Sequence, residues 1–279
     1  MIRYHHFFIL WLSVTGTTHA PAQERAGAAQ PTIGVCTSIE QQSKAGSAGF
    51  DFIIPGVADY LMPTSPSAAQ SPAIAACNMF FPSQLKCVGP EADLDTLLTY
   101  AETVFKEAHR RNVPIIIFGS GGARNIPDGY DRTAAVTQFT ELCIRLAERA
   151  ARYNIKIALE NLNKEETNLV NTVASALTIC KAVNMPNFGI NADIYHMLKE
   201  QEPPERLLDA RGRIFNCDIA EPTDRTPPGT EGTDFTPYLS ALRATGYQGG
   251  IAVEARWKDF STQAATACRT LRAQLDQVQ

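Results

Sequence analysis

The chain has 279 residues, 44% of them hydrophobic and 19% charged, with a formal net charge of −4. These are the proportions of an ordinary soluble globular protein, long for one small domain and suited to a barrel of roughly 250 residues. The acidic balance and the lack of any Lys/Arg-rich run argue against nucleic acid or an anionic membrane as partner, since both demand basic patches.

Residues 1–22 read as a cleavable signal peptide. Arg3 precedes the apolar run Phe7–Val14 (FFILWLSV), and the small-residue stretch that follows ends in Ala20-Pro21-Ala22. The run is too short to span a bilayer, and cleavage is expected after Ala22, with an uncleaved anchor as the alternative. The expected location is therefore periplasmic or secreted, with no membrane attachment after cleavage. Residues 23–30 form a polar, Ala/Gly-rich linker, which leaves 31–279 as one catalytic domain.

From there short apolar runs alternate with amphipathic stretches. Strands are expected at Thr32–Thr37, Phe50–Ile54, Ile74–Met79, Val113–Phe118, Lys156–Glu160, Asn187–Asn191, Ile214–Ile219 and Gly250–Glu254. Helices are clearest at Asp93–Arg111, Arg132–Tyr153, Leu169–Val183, Phe235–Thr245 and Ser261–Leu275, and Pro114 and Pro186 mark helix-to-strand junctions. Strands separated by helices imply parallel βαβ units. Eight of them in about 250 residues favour an α/β fold closed as a (β/α)8 TIM barrel over an open doubly wound sheet. No GxGxxG follows the first strand, which weakens a dinucleotide-binding alternative. The seven cysteines (36, 77, 87, 143, 180, 217 and 268) are odd in number and form no CxxC pair. That argues against a disulfide framework or a zinc–cysteine site. Core packing is expected for most of them, with a Cys77–Cys87 bridge as the alternative.

Barrel active sites lie where strands end. The fifth strand ends KIALENLN, with Glu160, Asn161 and Asn163 at its mouth. The sixth runs FGINADIYHM, placing Asp193 and His196 just past its end. The seventh, IFNCDIAEP, carries Asn216 and Asp218 on one face and Glu221 beyond; the eighth, GGIAVEARW, delivers Glu254. A lone strand-end acid is more often a loop cap or an ion-pair partner. Glu160, Asp193, Asp218 and Glu254 together would repel unless a cation held them ionised, and their oxygens suit Mn²⁺ or Mg²⁺. Of five histidines, three lie in the leader and His109 near a helix C-terminus reads as structural, so a His-rich zinc centre is excluded. Glu166 reads as an acid in the first turn of the next helix. The Gly119–Gly122 loop (GSGG) could bring backbone N–H groups to an oxyanion, and Arg225 and Arg256 are candidate substrate clamps.

The segments CNMFFPSQLKCVGPEAD, IIIFGSGGAR, ALENLNKEETNLVNT, NADIYHM, DIAEP followed by PPG, and GYQGGIAVEARW resemble, in order and spacing, the sugar phosphate isomerase/epimerase family. Its barrel is xylose isomerase-like, and the ketose 3-epimerases belong to it. The resemblance implies Glu160, Asp193 and Glu254 as metal ligands. It implies that Glu160 and Glu254 exchange a proton on opposite faces of the substrate, and that Glu166, His196 and Arg225 bind it. Arg225 lies one residue further along than the family spacing. The family carries His-x-His on the seventh strand, where this chain has Asn216-Cys217-Asp218-Ile219. Asp218 stands at the liganding His, so a metal site of harder character is expected, with loss of the site as the alternative. The reaction implied is proton transfer next to a carbonyl in a sugar or keto-sugar. Alternatives are a lyase or hydratase on 3-keto-glycosides, and a non-catalytic periplasmic sugar-binding barrel. A DNA-repair role fits poorly with the acidic charge and the missing histidines. A homo-oligomer is compatible with the sequence.

Overall fold

The computed structural model describes Met1 and residues 31–278, apart from Pro63 and 68–70. Apart from Met1, the expected signal peptide and linker therefore lie outside the described residues. Eight strands follow in chain order: β1 (Ile33–Cys36), β2 (Phe52–Ile54), β3 (Ala73–Ile74), β4 (Ile115–Phe118), β5 (Lys156–Glu160), β6 (Phe188–Asp193), β7 (Ile214–Ile219) and β8 (Ile251–Val253). The helices are α1 (Gln42–Ser47), α2 (Val57–Tyr60), α3 (Leu94–Arg110), α4 (Gly121–Arg124), α5 (Arg132–Ala151), α6 (Val173–Val183), α7 (Ile194–Lys199), α8 (Arg206–Asp209), α9 (Thr236–Ala244) and α10 (Phe260–Gln277). None among the described residues is long and apolar enough to cross a membrane.

All ladders are parallel, in the order β3-β2-β1-β8-β7-β6-β5-β4. The two ends of that curled sheet meet through a parallel bridge between Cys77 and Ile116. The sheet thus closes into the expected TIM barrel. The third strand differs from expectation. Only Ala73 and Ile74 form a ladder with β2, after which Cys77 bonds to Ile115 and Ile117 on the other side, and Met79 turns into the left-handed region at φ 55°. The segment 73–78 shares its hydrogen bonds between two neighbours, so no long ladder with either can form.

Side chains alternate inward and outward along a strand, and this produces two apolar layers. The larger packs the outward faces of the strands against the helices. On α3, Leu97, Leu98, Ala101, Val104, Phe105 and Ala108 are buried at the three-and-four spacing of one helical face. The smaller layer plugs the barrel interior with Phe52, Ile54, Ala76, Ile117, Ala158 and Ala252. Phe52 fills the floor so completely that a Cβ added at Gly34 would come within 2.1 Å of its ring. All seven cysteines are free and six are buried, so the Cys77–Cys87 bridge is not formed.

Helix starts follow local hydrogen bonding. Asp93 and Asp131 cap α3 and α5 by accepting from Thr96 and Ala134. The helix expected from Leu169 begins only at Val173. Thr172 and Ser175 form a capping box there, and the buried Glu202 carboxylate accepts the N–H groups of Val173 and Ala174. Residues before it are held as loop, with Val170 at φ 63° and its carbonyl accepting from the N–H of Leu162.

Candidate active site

Counting in twos along the strands brings one layer of polar side chains to the C-terminal mouth of the barrel. Cys36, Asn78, Glu160, Asp193, Asp218 and Glu254 all belong to it. On β7 the count works only because of a bulge. Ile190 pairs with Ile214 and Asn191 with Asn216, so Phe215 is an extra residue. Phe215 packs against the interior plug while Asp218, three residues on, joins the carboxylates at the mouth. A strictly alternating strand would send them to opposite faces, and the bulge resets the phase. Gly189 opposite leaves the space, since a Cβ there would lie 2.6 Å from the Phe215 ring.

Glu160, Asp193, Asp218 and Glu254 each offer a carboxylate oxygen, all within 4.8 Å of one another. Glu160 ends β5, and its Oε2 sits where a side chain on Gly119 would be; an added Cβ would be 2.1 Å away. The GSGG loop thus makes room for a carboxylate. Burial, then the charges of Glu254, Asp193 and Asp218, push the Glu160 carboxyl well up. The buried Arg124 donates to the Glu160 backbone carbonyl at 3.0 Å. Asp193 ends β6 and caps α7, accepting from the His196 N–H at 3.1 Å; burial raises its carboxyl while Arg225 opposes the shift. Asn161 donates to the Asp193 carbonyl and accepts its N–H, both at 3.1 Å, which ties the mouths of β5 and β6 together.

His196 is fully buried. Its Nδ1 accepts the backbone N–H of Asn163 at 3.0 Å. That donor cannot reverse, so the neutral ring carries its proton on Nε2. Burial, then the nearby Arg225, hold the imidazole neutral, down to about 4. Nε2 has no hydrogen-bond partner and lies 3.5 Å from Asp193 Oδ2 and 3.9 Å from Glu166 Oε2.

Arg225 is the one guanidinium that reaches the carboxylates among the described residues. It stands at φ 54° in the loop after β7 and stacks over Tyr195 at 4.7 Å. It donates to Glu254 Oε2 at 2.7 Å, Glu166 Oε1 at 3.2 Å and Asp193 Oδ2 at 3.3 Å. Burial alone would lower its pKa, but Glu254, Asp193, Glu160 and Glu166 outweigh that and raise it. The loop carrying it is anchored by Glu221, fully buried, whose carboxylate accepts from the N–H groups of Gly229, Glu231, Gly232 and Thr233.

Five carboxylates around one guanidinium leave a large negative excess in a low-dielectric pocket. A divalent cation is the direct remedy, and the oxygen donors of Glu160, Asp193, Asp218 and Glu254 fit a hard one. The cavity above them has a volume of about 460 Å³ and is bounded on one side by Met79, Phe81 and Tyr100.

Every expected site residue except Glu221, which anchors the Arg225 loop, and Arg256 reaches this region. Arg256 is exposed and contributes a backbone N–H to the Arg225 carbonyl at 2.7 Å. Glu166 sits in the turn after β5, not in the first turn of a helix, because α6 begins only at Val173. Three polar residues in or just beneath the layer were not singled out by sequence. Asn78 donates to Glu254 Oε1 at 3.1 Å, Asn191 to Asp218 Oδ2 at 2.6 Å, and the Cys36 thiol lies 4.0 Å from Asp218 Oδ1. Counting back in twos from Glu254, Asp193 and their neighbours would have flagged Asn191. His109 is structural as expected, its ring bonded to the Tyr153 carbonyl at 3.0 Å.

A family model described as Xylose isomerase-like TIM barrel matches residues 79–274. The ketose 3-epimerase of Arthrobacter globiformis is 36% identical over 111 residues, which cover 39% of this chain and 38% of that protein. The 3-dehydro-D-guloside 4-epimerase of Escherichia coli (strain K12) is 32% identical over 112 residues, covering 40% and 42%. The chain thus spans about two fifths of the length of these relatives. Among solved structures, an L-ribulose 3-epimerase superposes with a TM-score of 0.77 at 19% identity, covering 89% of this chain and 95% of that one. A 3-keto-D-glucoside 4-epimerase from E. coli does so with a TM-score of 0.74 at 19% identity, covering 88% and 100%. At these identities the structural likeness is one of fold.

Proposed function

The chain belongs to the xylose isomerase-like TIM barrel family, and from that premise we propose that it is a sugar isomerase or epimerase that moves a proton on the carbon beside a carbonyl. The observation that carries this reading is the convergence of Glu160 and Glu254, from the ends of β5 and β8, on one cavity, with Asp193 and Asp218 clustered against them. β5 and β8 are separated in the sheet by β6 and β7. Two carboxylates delivered from different strands are what removal and return of a proton on opposite faces would use. Their surroundings also differ. Glu160 is buried with its carboxylate against Gly119, whereas Glu254 is partly exposed and takes hydrogen bonds from Arg225 and Asn78. Unlike environments suit two carboxylates to opposite roles. Arg225 and Glu166 border the cavity as polar clamps, and His196, buried behind them, turns a fixed Nε2–H toward Asp193 and Glu166. A divalent ion, Mn²⁺ or Mg²⁺, held by Glu160, Asp193, Asp218 and Glu254 would supply Lewis-acid stabilisation of the oxygen on which negative charge develops.

The apolar wall of Met79, Phe81 and Tyr100 favours a keto-sugar carrying a further group, such as a 3-keto-glycoside. With such a substrate, loss or addition of a group beside the newly formed carbanion, a lyase or hydratase reaction, is the second reading. One experiment addresses both. Ketoses and 3-keto-glycosides are incubated with the protein and Mn²⁺ in D₂O, and products are read by mass spectrometry and NMR. Deuterium at one carbon without other change in formula supports epimerisation, and loss of an aglycone or gain of water supports the lyase. Glu254→Gln should abolish exchange with the fold intact; unchanged exchange sinks the assignment.

A further inference from the structure

Asn191 and Asn216 stand side by side on β6 and β7, paired in register and buried. Neither is placed to touch a substrate by the reading above. Asn216 Nδ2 donates to Asn191 Oδ1 at 2.8 Å and to Asp218 Oδ1 at 2.9 Å. Asn191 Nδ2 in turn donates to Asp218 Oδ2 at 2.6 Å. Each oxygen of the Asp218 carboxylate thus has one amide donor, and the plane of the group is fixed.

The chain of bonds has only one workable direction. Exchanging the O and N of Asn191 would set its carbonyl oxygen against Asp218 and its NH₂ against the NH₂ of Asn216, replacing two bonds with two repulsions. The amides therefore act on Asp218 as donors only, which suits an anionic carboxylate. A carboxylate oxygen has more than one lone pair. The amides engage one on each oxygen, and the group still presents oxygen to the point where Glu160, Asp193 and Glu254 converge.

An independent observation concerns the same cluster. His196 Nε2, buried and without a partner, lies 3.5 Å from Asp193 Oδ2, but its Nδ1 is taken by Asn163, so the ring turns an N–H and no free nitrogen lone pair toward the carboxylates. Among the described residues the four-membered set that converges there is all carboxylate, with the Cys36 thiol beside Asp218 and Glu254 and the His196 ring beside Glu160 and Asp193.

We propose that Asn191 and Asn216 are positioning residues for a divalent-cation site, holding Asp218 as a pre-oriented oxygen ligand and favouring a hard ion such as Mn²⁺ over a softer one such as Zn²⁺. The proposal rests on the reading above that this site takes a divalent ion. Hydrogen-bond partners of ligating groups set their orientation and basicity, and their loss typically weakens metal binding roughly 10- to 100-fold. Oxygen-only sets suit hard ions, and replacing one oxygen by an imidazole nitrogen moves the preference toward softer ones.

The test is titration calorimetry of the purified full chain with Mn²⁺ and with Zn²⁺, without substrate, beside thermal melting. Asn191→Leu and Asn216→Leu should each weaken Mn²⁺ binding roughly 10- to 100-fold. Asp218→His should shift the Zn²⁺-to-Mn²⁺ affinity ratio at least about tenfold toward Zn²⁺. A purely structural role for the two amides would lower the melting temperature and leave Mn²⁺ affinity unchanged, and that result overturns the proposal. If the leucine variants do not fold, the near-isosteric Asp218→Asn replaces them, and unaltered Mn²⁺ affinity there also overturns it. Wild-type protein that binds neither ion overturns this proposal and the metal dependence of the proposed function together. Normal binding with insensitive asparagine variants overturns the proposal alone.

Discussion

Gly119 illustrates how a single residue can serve a reactive group it never contacts through a side chain of its own. Its backbone adopts no conformation reserved for glycine, yet an added Cβ would lie 2.1 Å from Glu160 Oε2. The alanine variant should fold normally while pushing the Glu160 carboxylate out of the cluster. Misplacement by about 1 Å typically costs on the order of 100-fold in rate. Gly119→Ala should therefore lower kcat/KM by about that factor with an unchanged circular dichroism spectrum; full activity would show that Glu160 has no fixed place in the reaction. At this scale the sequence was legible where charge and strand phase coincide. Glu160 and Glu254 follow apolar runs directly and Asp193 ends a strand interrupted only by Asn191, and a carboxylate at a strand end has few bland explanations once three others accompany it. Asn78 and Asn191 were not, because an amide within an apolar strand is compatible with simple hydrogen bonding to a neighbour.

Between elements, the clearest polar clasp joins α3 to the end of α5. The Tyr153 hydroxyl donates to Glu102 at 2.6 Å, and Arg149 adds an ion pair with the same carboxylate at 3.2 Å. The hydrogen bond from Tyr153, assisted by Arg149, lowers the Glu102 pKa from its ordinary 4.5 although burial opposes the shift. A carboxyl lowered on folding stabilises the protein above its unfolded pKa, and that contribution is lost as pH falls through the folded value. Tyr153→Phe should destabilise the neutral protein by only about 0.5–1 kcal/mol, since the carboxylate is a third exposed. The gap to wild type in urea denaturation should narrow as pH falls below the ordinary 4.5 and through the lowered folded value; a gap that does not change with pH would remove Glu102 from the explanation. The elements were legible wherever periodicity ran long, as on α3 and α5. They were misread at β3 and before α6, where backbone groups are satisfied by partners distant in sequence, Ile115 and Glu202, that no local pattern reveals.

For the whole barrel, the carboxylate cluster makes cation binding and stability one question. Four acids drawn together by closure of the sheet repel one another in the folded chain and separate when it unfolds. A ligand present at 100 times its Kd that binds only the folded state adds about 2.7 kcal/mol. For a domain of this size each kcal/mol raises Tm by roughly 2–4 °C. Mn²⁺ at that excess should thus raise the melting temperature of EDTA-treated protein by roughly 5–10 °C. A melting curve indifferent to Mn²⁺ and EDTA would mean that Arg225 alone compensates the cluster.

The alternation of apolar strands and helices determined the parallel barrel, and the order of the acids determined which end of it would carry the site. Both follow from local periodicity, because burial forces side chains inward every second residue and helices onto one face. Tertiary structure alone decided that Asp218 shares a face with Phe215, through a bulge whose extra residue is defined only by pairing with β6. It alone decided that Arg225 lies against Asp193 and Glu254, in a loop folded around the Glu221 carboxylate. Register and loop closure depend on partners far along the chain, and a pattern read within one segment cannot contain them.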